Sequence, residues 1–346
     1  MRWRLHRFTL TKEVPLTISR GTTAAVEHLL LELEGGGQCG RGETGGFDTG
    51  QRHFSTNALE AELRAWLPQL ESLDLPAPAH WPELLAPLSP PARCAVDLAL
   101  HDCWAKALGH PLWRLWGLDL AGCRPTSVTL GLGSPEQVVE RLQRWRTLLP
   151  ASRVKLKLGS PDGPDHDQRL VEALLPQLEG AELQVDANGG WSLEQARQML
   201  PWLAERGVVL VEQPLAAQPG DEQGFAALQG VAPLSLVADE SCWGVEDLLR
   251  LAPHVQGVNL KLLKTGGLAE AVLMARLARR LGLQLMLGCY SDSALLNGAA
   301  AQLLPLVEWP DLDSHLNLSN DPFVGPQRQA DLLQPASTAG LGVIPC

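Results

Sequence analysis

After Pro125 the apolar and polar positions fall into a repeating order, a short apolar run followed by a longer stretch whose apolar residues recur at helical spacing. Runs near 126–131, 153–158, 182–186, 208–212, 235–238, 256–261, 284–288 and 308–312 read as strands. Between them, Pro135 to Leu149, Asp167 to Leu178, Ser192 to Arg206, Val245 to Ala252, Leu268 to Gly282 and Ser293 to Leu304 read as amphipathic helices. Strands and helices alternating in this way predict a parallel sheet with helices packed outside it. Eight strands close a barrel of the TIM type. An open doubly wound sheet is the competing arrangement, but the repeating units carry no dinucleotide-binding fingerprint.

Before Pro125 the texture differs. Arg4 to Leu10 and His28 to Glu34 read as strands, separated by a loop over Pro15 to Gly21. Gly35 to Gly37 and Gly40 to Gly46 form a glycine-rich segment without the Lys-Ser/Thr ending of a phosphate loop, so it reads as a mobile loop. Residues 56–71 predict a helix behind a Thr/Asn cap, and Pro90-Pro91 opens a second from about Ala92 to Gly109. Asp97 and Asp102 in that helix read as surface or capping residues. The last stretch, 319–346, is polar and rich in Pro and Gly, and is expected to pack back on the N-terminal region. The expected organisation is therefore a capping region over 1–122, a barrel over 123–318 and a returning segment over 319–346.

Composition narrows the partners. With 346 residues the chain can bury a large core, and a net charge of −11 leaves no domain-wide basic surface for nucleic acid or an anionic membrane. Seven scattered cysteines with no CxxC pair suggest neither a disulfide framework nor a zinc cluster, and fit a reducing cytoplasm. The start, MRWRLHRFTLTKEV, lacks the apolar core of a signal peptide, and no apolar run is long enough to span a bilayer.

In a parallel barrel the reacting groups sit where strands end and the following loops begin. Here the second strand carries Lys155 and Lys157, which a period of two places on one face, opposite Leu156. A solvated edge strand would show the same pattern. The third strand ends in Asp186-Ala187-Asn188, the fourth in Glu212-Gln213-Pro214, the fifth in Asp239-Glu240-Ser241 and the sixth in Asn259-Leu260-Lys261. Singly, each acid is equally well explained as a helix cap. Together, Asp186, Glu212 and Asp239 stand one strand-helix unit apart and converge on an oxygen-rich cluster that suits a hard cation such as Mg²⁺. A proton α to a carboxylate is weakly acidic, and its removal requires positive charge where the negative charge develops. One lysine can take that proton and another, across the barrel mouth, can return one, with their pKa values lowered toward neutrality by burial, the metal and neighbouring cations. Epimerisation is the natural outcome.

These motifs, with Leu262-Leu263-Lys264-Thr265-Gly266-Gly267, Ile18-Ser19-Arg20-Gly21 and Ala95 to Asp102, resemble the muconate-lactonizing subgroup of the enolase superfamily over nearly the whole chain. The resemblance implies a (β/α)7β TIM-type barrel with an α+β capping domain built from the N-terminal region and the C-terminal tail. It implies one Mg²⁺ per subunit on Asp186, Glu212 and Asp239, supported by Asn188 and Glu240, and Lys157 and Lys261 as the acid/base pair. Lys155 would lower the pKa of Lys157 and contact the substrate carboxylate. Asp311-Leu312-Asp313 resembles the Asp-x-Asp pair with which dipeptide epimerases of the subgroup hold a substrate ammonium, and L-Ala-D/L-Glu is the first expected substrate. Arg20, Ser291 and Asp292 are further candidates for substrate binding, Arg20 through a distal carboxylate. Asp292 stands where the family often has Glu, and Ser314-His315 where Gly-Pro is frequent, which leaves the dipeptide open. o-Succinylbenzoate synthase, N-acylamino acid racemase, muconate-type cycloisomerase and a non-catalytic metal-dependent ligand binder are the alternatives. A cytoplasmic homo-oligomer is expected.

Overall fold

The computed structural model describes all 346 residues. Three antiparallel strands open the chain in the order β1 (Arg2–Ile18), β2 (Gly21–Gly35) and β3 (Gln38–Gly45). The expected loop over 15–21 is mostly strand. Leu16, Thr17 and Ile18 pair with Thr23, Thr22 and Gly21 beyond an irregularity that starts at Thr11, so the β-branched residues keep their ladder and only Ser19-Arg20 turn.

Of the glycine-rich segment, Gly40 to Gly45 lie in a strand and not in a mobile loop, and Gly36-Gly37 form the turn that leads into it. Helix α2 (Pro90–Ala107) lies directly on β3, and a side chain at Gly40 or Gly42 would collide with the carbonyl oxygens of Ala99 and Ala95. The glycines are there for close approach. Helix α1 (Thr56–Trp66), capped by Ser55 Oγ accepting from Ala58 N at 3.2 Å, stops short of residue 71 because Pro68 lies in the next turn, which tightens to 3₁₀ geometry through Ser72. Leu29, Leu31 and Leu33 of β2 pack with Leu59, Leu63 and Trp81 and the small residues of α2. Asp97 and Asp102 are buried rather than on a helix surface. Asp97 accepts from Leu268 N at 2.5 Å and so caps a barrel helix, while Asp102 accepts from Arg41 N at 2.9 Å and Leu341 N at 3.0 Å.

The eight predicted strands all form. They are β4 (Val128–Leu130), β5 (Arg153–Lys157), β6 (Glu182–Asp186), β7 (Leu210–Glu212), β8 (Ser235–Ala238), β9 (Gly257–Leu260), β10 (Gln284–Gly288) and β11 (Trp309–Asp311). Neighbours in sequence are neighbours in one parallel sheet, and Ser127 N donates to Pro310 O at 2.9 Å to join the first strand to the last. The outer helices are α3 (Pro135–Leu148), α4 (Pro164–Leu174), α5 (Leu193–Ala204), α6 (Glu222–Leu228), α7 (Val245–Leu251), α8 (Leu268–Arg280) and α9 (Ala294–Ala301). Ser134 with Gln137 and Ser192 with Gln195 form capping boxes that start α3 and α5. Helix α6 was not among the expected helices: its seven residues begin just after Pro219-Gly220 and contain Gly224, too short and too interrupted to show a period.

The tail does not pack on the N-terminal region alone. Ser319 N reaches Thr11 O at 2.9 Å, but Asp331 binds the barrel through Thr126 N at 2.8 Å and Ser152 N at 3.0 Å. No helix is long and apolar enough to cross a membrane.

Candidate active site

Strand alternation turns Lys155 and Lys157 into the barrel and sends Leu156 outward into the apolar layer under the helices. Lys261 follows β9 directly, four strands further round an eight-strand ring, and therefore faces the β5 lysines from the opposite wall. Each lysine meets an acid. Lys157 Nζ donates to Asp186 Oδ2 at 2.5 Å, and Lys261 Nζ to Asp239 Oδ2 at 2.6 Å while lying 4.6 Å from the centre of the Tyr290 ring. Lys155, fully buried, donates to Asp311 Oδ2 at 2.6 Å and lies 2.5 Å from Glu212 Oε2. That second approach is an ion contact without hydrogen-bonding geometry, so Glu212 Oε2 has no hydrogen-bond partner.

Asp186, Glu212 and Asp239 are completely buried, and carboxylate oxygens of the three lie within 4.8 Å of one another. Burial, together with Asp186 and Asp239, pushes the Glu212 carboxyl up to about 8 against the pull of Lys155. Burial also opposes ionisation of the other two, but Lys157 and Lys155 hold Asp186 below the usual carboxylate range, and Lys261 and Lys264 hold Asp239 well below it. A hard divalent cation fits this set: three oxygen donors from neighbouring strands that repel one another. Burial disfavours the charge of Lys155 and Lys261, yet their pKa values are raised well above the ordinary lysine value, not lowered, because Asp311, Glu212 and Asp186 outweigh burial at Lys155 and chiefly Asp239 does so at Lys261.

Supporting residues surround the triad. Asn188, at φ +46°, donates its amide nitrogen to Asp186 Oδ2 at 3.1 Å and its backbone N–H to Oδ1 at 2.8 Å. Glu240 accepts from Arg20 at 3.0 Å. Three further groups were not singled out from sequence. Gln213, at φ +36°, accepts from Asp239 N at 2.9 Å, Asn259 donates to Glu212 Oε1 at 2.7 Å, and Lys264 donates to Asp239 Oδ1 at 2.5 Å. Their signal in sequence is a polar residue at or just beyond a strand end, inside the same motifs as the acids and lysines.

A cavity of about 280 Å³ lies between barrel and capping sheet, walled by Lys157 and Lys261 below and by Leu16, Ile18, Val26 and Phe47 above. Arg20 and Ser291 also line it. Arg20 is already engaged: one terminal nitrogen holds Glu240 and the other Asn188 O at 2.9 Å. Asp292 lines neither this cavity nor the adjoining one. It is buried, accepts from Tyr290 N at 3.1 Å, and is pushed up to about 6 by burial. The smaller adjoining space, about 50 Å³, shares Lys157 and Tyr290 and holds Asp311, Asp313, Lys12 and Arg141. Asp311 is committed to Lys155 and, at 2.6 Å, to Ser127 Oγ. Asp313 accepts from Thr129 N with Oδ2 alone. His315 contacts Asn297 at 3.0 Å and lines neither space.

Comparison with known proteins places this site in context. Residues 5–117 match the mandelate racemase/muconate lactonizing enzyme N-terminal domain, and residues 137–345 the enolase C-terminal domain-like family. A hydrophobic dipeptide epimerase of a Flavobacteria bacterium is 38% identical over 330 residues, covering 94% of this chain and 93% of that protein. Another, of Roseobacter litoralis, is 38% identical over 351 residues, covering 99% and 98%. The crystal structure of a dipeptide epimerase of Methylococcus capsulatus, complexed with Mg and L-Arg-D-Lys, superposes with a TM-score of 0.85 at 28% identity and covers 99% of each chain. This chain belongs to the mandelate racemase/muconate lactonizing enzyme family and carries its enolase-like barrel.

Proposed function

We propose that this protein is a Mg²⁺-dependent dipeptide epimerase that inverts the α-carbon of the C-terminal residue by 1,1-proton transfer. The observation that carries the reading is the placement of Lys157 and Lys261 on opposite walls of one cavity beside a buried triad of acids. Asp186, Glu212 and Asp239 would hold the cation, whose charge lowers the cost of negative charge developing on the substrate carboxylate. Lys157 takes or returns the α-proton on one face of the substrate and Lys261 on the other. Lys155 places a second cation on the same face of β5 as Lys157. Asn188 and Glu240 keep Asp186 and Arg20 in place. Asp313, with one oxygen uncommitted, receives the substrate ammonium, and Asp311 acts through Lys155 rather than as an equal partner.

The cavity favours an apolar second residue over glutamate, because Arg20 is occupied and the wall above the lysines is Leu16, Ile18, Val26 and Phe47. That the two 38% identical relatives are hydrophobic dipeptide epimerases supports the same choice. Lys12 and Arg141 beside Asp313 favour, as a second reading, the same proton transfer on an N-acylated amino acid with an anionic acyl group. A homo-oligomer belongs to the proposal through the exposed pair Val324 and Ile344, and a cytoplasmic location through the seven free cysteines; sedimentation and cell fractionation test them. The function itself is tested in D₂O with Mg²⁺ and a panel of L,L-dipeptides and N-acylamino acids. Loss of the C-terminal α-proton with appearance of the second epimer is expected for dipeptides; turnover of N-acylamino acids alone would transfer the assignment to the second reading.

A further inference from the structure

Asp167 lies in the first turn of α4, completely buried, and its partners are all neutral N–H donors. It accepts from Gly159 N at 2.9 Å, Ser160 N at 3.1 Å and the Trp191 indole at 2.8 Å. Gly159 and Ser160 follow Lys157 after a single intervening leucine; Trp191 follows Asn188 after two glycines. One carboxylate therefore ties together the loops that leave β5 and β6. These loops also touch backbone to backbone, since a side chain on Gly159, at φ +73°, would collide with the Ala187 carbonyl. Leu158 N continues the ladder to Asp186 O at 2.8 Å. The clip holds the chain two and three residues beyond Lys157 and three beyond Asn188, whereas Lys261 stands across the barrel and shares none of its contacts.

We propose that Asp167 is a positioning residue for the Lys157 half of the proton transfer, an inference that rests on the two-lysine reading above. A buried carboxylate holding two backbone amides and one indole gives a loop little freedom, and small displacements of a proton carrier cost rate steeply. The predicted signature is asymmetry between enantiomers. A residue that only supports the fold would slow both halves alike.

The test measures initial α-proton exchange in D₂O for each enantiomer of one dipeptide separately, with the Mg²⁺-loaded protein. Lys157→Ala identifies the enantiomer that Lys157 serves. Asp167→Ala should slow exchange of that enantiomer about tenfold or more and leave the other within about threefold. Trp191→Phe, which removes one donor and keeps an aromatic ring, should shift the ratio in the same direction by less, and carries the test if Asp167→Ala does not fold. Amide hydrogen exchange at Gly159 and Ser160 should rise in Asp167→Ala. Equal slowing of both enantiomers, or no change in the ratio in either variant, overturns the proposal. Exchange of neither enantiomer by the wild type would instead overturn the two-lysine reading beneath it.

Discussion

Lys264 holds Asp239 from behind: its Nζ lies 2.5 Å from Oδ1 and contacts the Asp239 carbonyl as well, leaving Oδ2 to the cavity side, where Lys261 reaches it. Lys264 is fully buried and lines neither cavity. Its role is to fix the carboxylate. Replacing it by Met leaves a buried charge short of its partner, so Lys264→Met should lose about 3 to 5 kcal/mol of stability in urea unfolding. Its Mg²⁺ dissociation constant, read by titration calorimetry, should rise by about tenfold or more, a loss of about 1.4 kcal/mol.

Glu212 gives the pH dependence. With its folded pKa raised to about 8, above the ordinary carboxylate value, it keeps its proton at pH 7 when divalent cations have been stripped with a chelator. Mg²⁺ binding at pH 7 should then release close to one proton, detected by calorimetry in buffers of different ionisation enthalpy. The sign for stability follows: a raised pKa favours the fold at low pH, and that contribution disappears as pH rises through about 8. Glu212→Gln should abolish both the proton release and this slope.

His315 acts in the opposite sense. Burial lowers its pKa to about 4, so its neutral form is part of the fold. The stability it contributes is complete above about pH 6.5 and is lost as pH falls through about 4. Asp292 and Asp321, both raised to about 6 mainly by burial, oppose that trend between pH 4 and 6. The wild-type minus His315→Gln difference in urea-unfolding free energy isolates the histidine, and it should shrink as pH is lowered from 7 to 4.5.

The barrel was legible because it repeats. Eight apolar runs separated by helical stretches leave little room for another arrangement, and acids recurring at successive strand ends single out Asp186, Glu212 and Asp239. The glycine strand was not legible, because Gly40 and Gly42 make sense only once α2 is known to lie on them. Local pattern cannot show a contact made by a residue fifty positions away. The same limit applies to the substrate candidates. Arg20 is committed to Glu240, Asp311 to Lys155, and Asp292 to the Tyr290 amide, each through a partner remote in sequence or by a turn of the chain that spacing does not reveal.

The central claim is that Lys157 and Lys261 serve opposite faces of one α-carbon. It is tested most directly by following α-proton exchange of both epimers of an active dipeptide in D₂O with Lys157→Ala and Lys261→Ala. Neither variant should interconvert the epimers, and each should still exchange the α-proton of one epimer, a different one in the two variants. Full epimerisation by either variant, or retention of the same epimer by both, would contradict the account.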